Sequence, residues 1–227
     1  MICKHTSSFL WIFFVLLSCQ INPKQSETTT SKNAEPTATA DSSQAAPIPD
    51  EAANTPAEEA QAVTPAQRIK PGISIGQTTL NMKAEAVNQV LGKGDRSDAA
   101  MGKAWSVWYS KPNSSDTARH ETTIYFVTNM GGPDEASRVK QIRVTSSFFK
   151  TTANLGVGMK LAVIQKAFPN LKAVQTYTSS KIKQSVTILD DTAAGIAFEI
   201  NPQNTCVAVA VHEPQQPVNT TYINLFP

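Results

Sequence analysis

Residues 196–212 read IAFEINPQNTCVAVAVH, and this stretch decides the type of fold. Both of its ends alternate between two sets of side chains, which is the period-two pattern of a β-strand. The Asn201–Asn204 segment between them contains a proline and favours a tight turn. We therefore predict two antiparallel strands joined by this turn.

Similar alternation marks four earlier stretches, which we interpret as further strands. Turn-forming residues separate them, at Gly131–Asp134 in the first half of the domain and at Asp190–Gly195 in the second. The four stretches are residues 105–110, 122–127, 142–144 and 186–188.

A short helix is predicted ahead of each group of strands. In Asn81–Leu91, apolar residues recur at i, i+3, i+4 and i+7, and Gly92 favours the end of a helix. Lys160–Phe168 carries an apolar face of the same kind. Pro169 ends that second helix, because proline cannot continue one.

The two groups of elements resemble each other, so we predict an α+β fold made of tandem α-β-β-β units. Each unit would be a short helix packed on a small antiparallel sheet. Residues 68–152 form the first unit, and residues 153–227 form the second unit with a C-terminal tail. The expected core pairs are Ile124 with Phe126 and Ile196 with Phe198.

The order of these motifs resembles the SmpA/OmlA (BamE)-like small lipoprotein family over residues 70–213. Gly76 and Gly158 stand where that family has the glycine that precedes its helix, although Pro169 replaces the glycine that should follow the second helix. In tandem, the arrangement also resembles the β-lactamase inhibitor proteins. The family includes the small lipoprotein of the outer-membrane barrel-assembly machinery, so the resemblance implies a protein that binds other proteins.

The N-terminus predicts export and lipid attachment. Phe9–Leu17 is an apolar run whose helix would rise only about 14 Å, which is typical of a signal peptide and too short for a membrane span. Leu16-Leu17-Ser18-Cys19 then resembles a lipoprotein signal, which implies cleavage after residues 1–18 and acylation, with palmitate for example, of Cys19. The alternative is ordinary cleavage near Ser18, which would release a free secreted protein.

Residues 19–67 are predicted to be the lipidated cysteine and a disordered tether. From residue 20 onward this segment has six prolines and no Phe, Tyr or Trp, so it cannot bury enough apolar surface to offset the entropy of ordering. It carries seven acidic and two basic side chains, whereas residues 68–227 carry 11 acidic and 17 basic ones. The basic residues are scattered, so we expect no nucleic-acid partner.

The sequence contains no familiar catalytic, cofactor or metal-binding motif. His120 and His212 lack a second ligand at metal spacing, and Asp190-Asp191 is best read as part of a turn. Cys206 has no partner if Cys19 is acylated, and it is expected to be a small buried side chain. We therefore predict no enzyme activity, no cofactor and no metal.

Aromatic residues crowd one predicted strand. By parity, Trp105 and Tyr109 go with Val107 into the core, and Trp108 points to the sheet face that the helices leave uncovered. Aromatic residues are favoured anchors of protein contacts, so Trp108 and Tyr125 are the candidate binding residues. The alternative is that Trp108 packs against the second unit or a loop.

Three functions remain open from the sequence. The first is a membrane-anchored envelope lipoprotein, held by the lipid on Cys19, that acts as a non-catalytic binding or scaffold module for an unidentified envelope protein. Because Gln20 rather than Asp follows the cysteine, we expect the outer membrane, with the protein facing the periplasm or the cell surface. The alternatives are an inhibitor of an envelope or extracellular hydrolase and, with the weakest support, an enzyme with an unfamiliar site.

The lipid anchor can be tested directly. Cys19→Ala removes the thiol that would be acylated, so the variant should appear in the soluble fraction and should not incorporate labelled fatty acid. Cell fractionation and metabolic labelling measure both effects. A Cys19→Ala variant that still partitions with membranes would show that the anchor lies elsewhere.

Overall fold

The computed structural model describes residues 62–113 and 115–221, which all belong to one unit of the chain, 57–227. The predicted signal peptide, Cys19 and most of the predicted tether lie outside the described residues. Pro65–Gln67, at the end of the range predicted as tether, form one turn of 3-10 helix. The Gln67 carbonyl accepts a hydrogen bond from the Lys150 N–H at 2.9 Å, so these residues contact the domain.

The described part of the chain contains two short helices and eleven strands, and the strands form two antiparallel sheets. The helices are α1 (Ala84–Leu91) and α2 (Leu161–Ala167). The small sheet contains β1 (Ile69–Lys70), β2 (Ser74–Ile75) and β3 (Thr78–Thr79). The large sheet contains β4 (Arg96–Ala100), β5 (Lys103–Tyr109), β6 (Glu121–Thr128), β7 (Ser137–Val144), β8 (Lys172–Ser179), β9 (Gln184–Asp191), β10 (Ile196–Ile200) and β11 (Cys206–His212).

The large sheet is continuous across the two halves of the domain. Its strand order is β4-β5-β6-β7-β11-β10-β9-β8, so β4–β7 and β8–β11 are two meanders that meet at their last strands. In the β7–β11 pair, Val144 lies opposite Val209 and Ile142 lies opposite Val211. One ladder of backbone hydrogen bonds therefore joins the two halves.

The prediction of tandem α-β-β-β units was wrong. The protein is mostly β, its two helices are short, and its strands form sheets of three and eight strands instead of two small separate sheets. Each helix is followed by four strands, and the two strands that the sequence did not reveal are the edges, β4 and β8. Nearly all residues of β4 and β8 are exposed, so these strands lack the alternation that marks a half-buried strand.

Both helices cover the same face of the large sheet. Val87 of α1 and Ile164 of α2 are fully buried in one continuous core, which Ile69 and Ile75 of the small sheet also enter. The four residues of the predicted core pairs are buried there: Ile124, Phe126, Ile196 and Phe198. The rings of Phe168 and Phe198 lie 5.3 Å apart, which brings the end of α2 onto β10.

A β-bulge divides the row of small residues Cys206, Ala208 and Ala210. Ala208 pairs with Glu199 and Cys206 pairs with Ile200, so Val207 is the extra residue. Cys206 consequently faces the helix-covered core, whereas Ala208 and Ala210 face the other side of the sheet. On that side of the sheet, Val218 packs against Ala210.

Phe198 provides a test of the continuous sheet. Phe198 is a completely buried residue of β10 that packs against Phe168 at the end of α2, so Phe198→Ala should lower the free energy of unfolding by about 3–5 kcal/mol. Because one ladder crosses both halves, denaturant unfolding monitored by tryptophan fluorescence and by circular dichroism should give coincident transitions. Val174→Ala, at a position that is 48% exposed, is the matched control and should change stability little. Two separate transitions in the Phe198→Ala variant would contradict this view of the domain.

Candidate functional site

The candidate site lies on the side of the large sheet opposite α1 and α2, which we call the distal face. Strand pairing places a set of polar and charged side chains there, beside small or apolar neighbours. These side chains belong to Glu121, Tyr125, Gln141, Arg143, Tyr177, Asp190, Glu199 and His212.

The C-terminal segment crosses one part of the distal face. Val218 packs in one buried cluster with Ile188, Ala197 and Ala210, and the small side chains of the two alanines let the backbone approach closely. The Asn219 N–H donates to Gln141 Oε1 at 2.8 Å, and Gln141 Nε2 donates to the Asn219 carbonyl at 3.0 Å. These contacts fix residues 218–219 across β9, β10, β11 and β7.

A buried Asp190–His212 pair holds this segment. His212 Nε2 lies 2.9 Å from Asp190 Oδ1, and the Thr192 hydroxyl donates to Asp190 Oδ2 at 2.7 Å. The Val218 N–H donates to the same oxygen at 3.2 Å. Burial disfavours the carboxylate, but the hydrogen bonds from His212, Thr192 and Val218 outweigh it and hold the pKa of Asp190 below its usual value.

A pocket of about 430 Å³ opens on the distal face beside this crossing segment. Its floor is formed by Arg143 of β7, Glu199 of β10 and Val207 of the bulge. One wall is the segment before β6, and the other is the tip of the β8–β9 hairpin. The wall residues are Ala118, Arg119, His120 and Glu121 on one side and Tyr177, Ser179, Ser180, Lys181 and Ile182 on the other.

Arg143 and Glu199 form a bidentate ion pair in the floor of the pocket. Arg143 Nε and Nη2 donate to the two carboxylate oxygens of Glu199 at 2.5 and 2.7 Å, and the Tyr177 hydroxyl donates to Glu199 Oε2 at 2.6 Å. The Glu199 side chain is only 2% exposed. Burial opposes the guanidinium charge, but Glu199 outweighs it and raises the pKa of Arg143, while burial and the charge of Glu199 both raise the pKa of Tyr177.

The energetics of this buried pair point to a role other than stability. Removing two charges from water costs several kcal/mol, and well-packed apolar residues often stabilise a fold as well or better. Groups whose pKa is strongly shifted by burial and by a charged neighbour are concentrated at functional sites. The Arg143–Glu199 pair lies in a pocket, so it is the strongest candidate site in the described part of the chain.

Glu121 and Lys181 lie above this floor. Lys181 Nζ donates to the Arg119 carbonyl at 2.7 Å, and it lies 3.4 Å from Glu121 Oε1. Glu121 Oε2 is 3.6 Å from Arg143 Nη1. Lys181 lies in the turn between β8 and β9 of the second meander, and Arg119 lies just before β6 of the first. These contacts therefore connect the two halves of the sheet.

A second pocket, of about 550 Å³, adjoins the first at His120. His120 Nε2 lies 2.7 Å from Asp116 Oδ2, and Nδ1 lies 3.2 Å from the Thr145 carbonyl. Both ring nitrogens therefore have a partner within the domain. The exposed ring of Phe148 lies on the opposite rim, edge-on to Phe149 at 5.2 Å.

The face predicted for Trp108 was wrong. Trp108 belongs to the helix-side core, where its indole Nε1–H donates to the Gly92 carbonyl at 3.0 Å, so it packs against the loop that follows α1. Trp105, Val107 and Tyr109, which were expected in that core, lie on the distal face, where Trp105 and Val107 are buried and Tyr109 is partly exposed. Tyr125, the other candidate binding residue, lies on the distal face opposite Trp105 and is partly exposed. Alternation of its side chains located β5, but alternation alone does not show which of the two sets of side chains faces the helices.

Cys206 is buried, as its position in an alternating strand suggested. Burial, with the charge of Glu199 as a second cause, raises the pKa of the Cys206 thiol to about 12. A thiol with so high a pKa is not a nucleophile at neutral pH. Within residues 62–113 and 115–221, no group of three or more His, Cys, Asp or Glu side chains is arranged to hold a metal ion.

The sequence did not single out Arg143, Glu199, Tyr177 or Glu121. A signal was present, since Glu199 stands in the middle of IAFEI and Arg143 stands between Ile142 and Val144. A charged residue in a strand with apolar neighbours is a candidate for a buried ion pair. Its partner could not be named from the sequence, because the pairing that unites them spans 56 residues and depends on β7 meeting β11.

Comparisons of this chain with protein families, with characterised proteins and with solved structures found no match. None of the helices in the described ranges is long and apolar enough to cross a membrane.

Asp190 gives a pH-dependent test of the segment that crosses the distal face. Because its pKa is lowered in the folded protein, its charge stabilises the fold above about pH 4, the pKa of an unfolded aspartate, and this contribution is lost as the pH falls through the folded pKa. Asp190→Asn should therefore cost about 1–3 kcal/mol at neutral pH, as expected for partners left without a strong acceptor. Chemical denaturation of both proteins across acidic to neutral pH should show the difference shrinking at low pH.

The control for this experiment is Asp98→Asn, which removes one charge from an exposed position of the edge strand β4. It should alter stability far less than Asp190→Asn at neutral pH. A difference between the wild type and Asp190→Asn that stays constant with pH would show that the carboxylate charge does not hold this segment.

Proposed function

We propose that this protein is a lipid-anchored envelope protein whose domain binds a partner, without catalysis, through the pocket on the distal face. The anchor rests on the apolar run followed by Leu16-Leu17-Ser18-Cys19. The binding role rests on one observation, the Arg143–Glu199 pair buried in the floor of an open pocket. The proposed partner is a protein or peptide of the cell envelope.

Pocket architecture supports binding. The floor residues Arg143 and Glu199 come from the two meanders, so a ligand there would contact strands that the continuous sheet holds together. Positions on a rigid sheet bind with little further ordering, which lowers the entropic cost of association. The volume of about 430 Å³ lies in the range typical of small-molecule and side-chain sites.

Electrostatics also favour binding over chemistry. The Glu199 carboxylate already accepts three hydrogen bonds from Arg143 and Tyr177, so it cannot readily act as a base. Both nitrogens of the neighbouring His120 are engaged as well. The groups that remain at the surface of the pocket are suited to holding a ligand in place.

The predicted tether fits this role. A flexible segment of about 48 residues has an average end-to-end distance of roughly 40 Å, which would let the domain reach partners away from the lipid surface. The excess of basic side chains in residues 68–227 would be partly offset by the acidic tether. This arrangement suits a module that searches for its partner while remaining attached to the membrane.

Site-specific photo-crosslinking in intact cells tests the proposal. A photoreactive amino acid at Ser180, on the rim of the pocket, should form an adduct with a protein partner. The same residue at Val163, a 43% exposed position of α2 on the other side of the sheet, is the matched control and should form none. Gel shift of the tagged protein, followed by mass spectrometry, identifies the adduct.

Two outcomes would overturn the proposed function. Equal labelling from Ser180 and Val163 would show that the pocket has no special role. Absence of any adduct from Ser180, in a variant whose thermal unfolding matches the wild type, would show that no protein occupies the pocket. Combining Ser180 labelling with Cys19→Ala separates binding from anchoring, since loss of the adduct on release would place the partner in the membrane.

A further inference from the structure

The charges around the distal-face pocket are unbalanced in favour of cations. Arg119, Arg143 and Lys181 line it, against the carboxylates of Glu121 and Glu199. Glu199 is nearly fully buried and has its two oxygens occupied by Arg143 and Tyr177. Of the two carboxylates that line the pocket, Glu121 is therefore the one that a ligand can contact, and it lies between the cationic groups of Arg143 and Lys181.

Glu121 is held loosely between two of these cations. Its oxygens lie 3.6 Å from Arg143 Nη1 and 3.4 Å from Lys181 Nζ. A charge-assisted N–H···O hydrogen bond is normally about 2.7–2.9 Å long, so both contacts fall well short of that strength. By contrast, the same Arg143 guanidinium contacts Glu199 at 2.5 and 2.7 Å.

Arg143 retains hydrogen-bonding capacity towards the pocket. A guanidinium has five N–H donors, and Glu199 engages only Nε and Nη2. Nη1 faces Glu121 Oε2 at 3.6 Å, which is longer than a hydrogen bond, and the Tyr177 hydroxyl is a further neighbour of the guanidinium. Lys181, whose side chain is about half exposed, can reorient its ammonium group towards the same space.

From this geometry we infer that the pocket binds a carboxylate, which displaces Glu121 from between Arg143 and Lys181. This inference rests on the proposed function, since it names the chemistry that the pocket recognises. The carboxylate would accept hydrogen bonds from Arg143 Nη1 and Lys181 Nζ. Glu121 would swing outward, where solvent is accessible, because its side chain is already 23% exposed.

The rest of the ligand is short and partly apolar. Ala118, Ile182 and Val207 contribute apolar surface beside the two cations, and Ser179 and Ser180 add hydroxyl groups at the rim. A volume of about 430 Å³ suits a small acid or one to two residues of a peptide. A free organic acid and the carboxyl terminus of a polypeptide present the same chemistry, so the probes must distinguish them.

Titration of the full-length protein in a non-ionic detergent tests this inference. The probes are hexanoate, for a free acid, and N-acetyl-leucyl-leucine, for a peptide terminus, each beside its neutral amide. Calorimetry gives the affinity, and amide chemical shifts of residues 179–182 locate the site. At least one of the two acids should bind more tightly than its own amide. Tighter binding of the dipeptide than of hexanoate would identify a chain terminus as the ligand.

Two substitutions should change the affinity in opposite directions. Lys181→Gln removes a cation and should weaken carboxylate binding about two- to fivefold, while Glu121→Gln removes the internal competitor and should strengthen it by a similar factor, as expected for partly exposed charges. Neither residue is in the core, so both variants should fold. Lys183→Gln is the matched control, since Lys183 carries the same charge in the same hairpin and does not line the pocket.

Several results would overturn the inference. These are binding of the amides as tightly as the acids, weaker acid binding by Glu121→Gln, an equal effect of Lys183→Gln and Lys181→Gln, or no binding of either acid at millimolar concentration. Crosslinking at Ser180 without carboxylate binding would refute this inference and leave the proposed function standing. Carboxylate binding without a crosslinked protein would refute the proposed protein partner and leave the carboxylate site standing.

Discussion

The pairing of β7 with β11 is the interaction on which the rest of the structure depends. It joins the last strands of two meanders and makes one eight-stranded sheet. Without it, each half would expose a long edge with unpaired backbone groups and a small core with little apolar burial. The pairing also lets α1 and α2 cover one continuous apolar face, so the opposite face can carry charges. Arg143 and Glu199 meet because the strands between them are in this order.

The distal face has one part that the C-terminal segment covers and one part that is open. Near Asp190 and His212, the C-terminal segment crosses the sheet, fills the space left by small side chains and satisfies the buried polar groups. Near Arg143 and Glu199 no described segment crosses, and the sheet forms an open pocket. Gln141 and Arg143 are two residues apart on the same face of β7, yet the first bonds the crossing segment and the second faces the pocket. The sheet thus supplies a rigid floor on which covered and accessible charges are kept apart.

Much of the core, but little of the architecture, was predictable from the sequence. Alternation located the half-buried strands and identified Ile124, Phe126, Ile196 and Phe198 as core residues, since burial on one face imposes that pattern. It could not locate the exposed edges β4 and β8, and it could not show that β7 pairs with β11. Strand order depends on contacts between distant residues. The internal similarity of the two halves was therefore misread as two separate small sheets.

The candidate site was missed for a related reason. Aromatic residues were given priority as binding anchors, but alternation did not show which set of side chains faces the helices. Trp108 lies on the helix side, where its indole donates to the Gly92 carbonyl at the end of α1. A more informative signal was the single charge within an apolar strand, at Glu199 and at Arg143. Desolvation makes such a residue expensive, so it must be paired, and its partner must come from another strand. This constraint on buried charges would select Glu199 and Arg143 from the sequence. Only the strand order shows that they meet in one pocket.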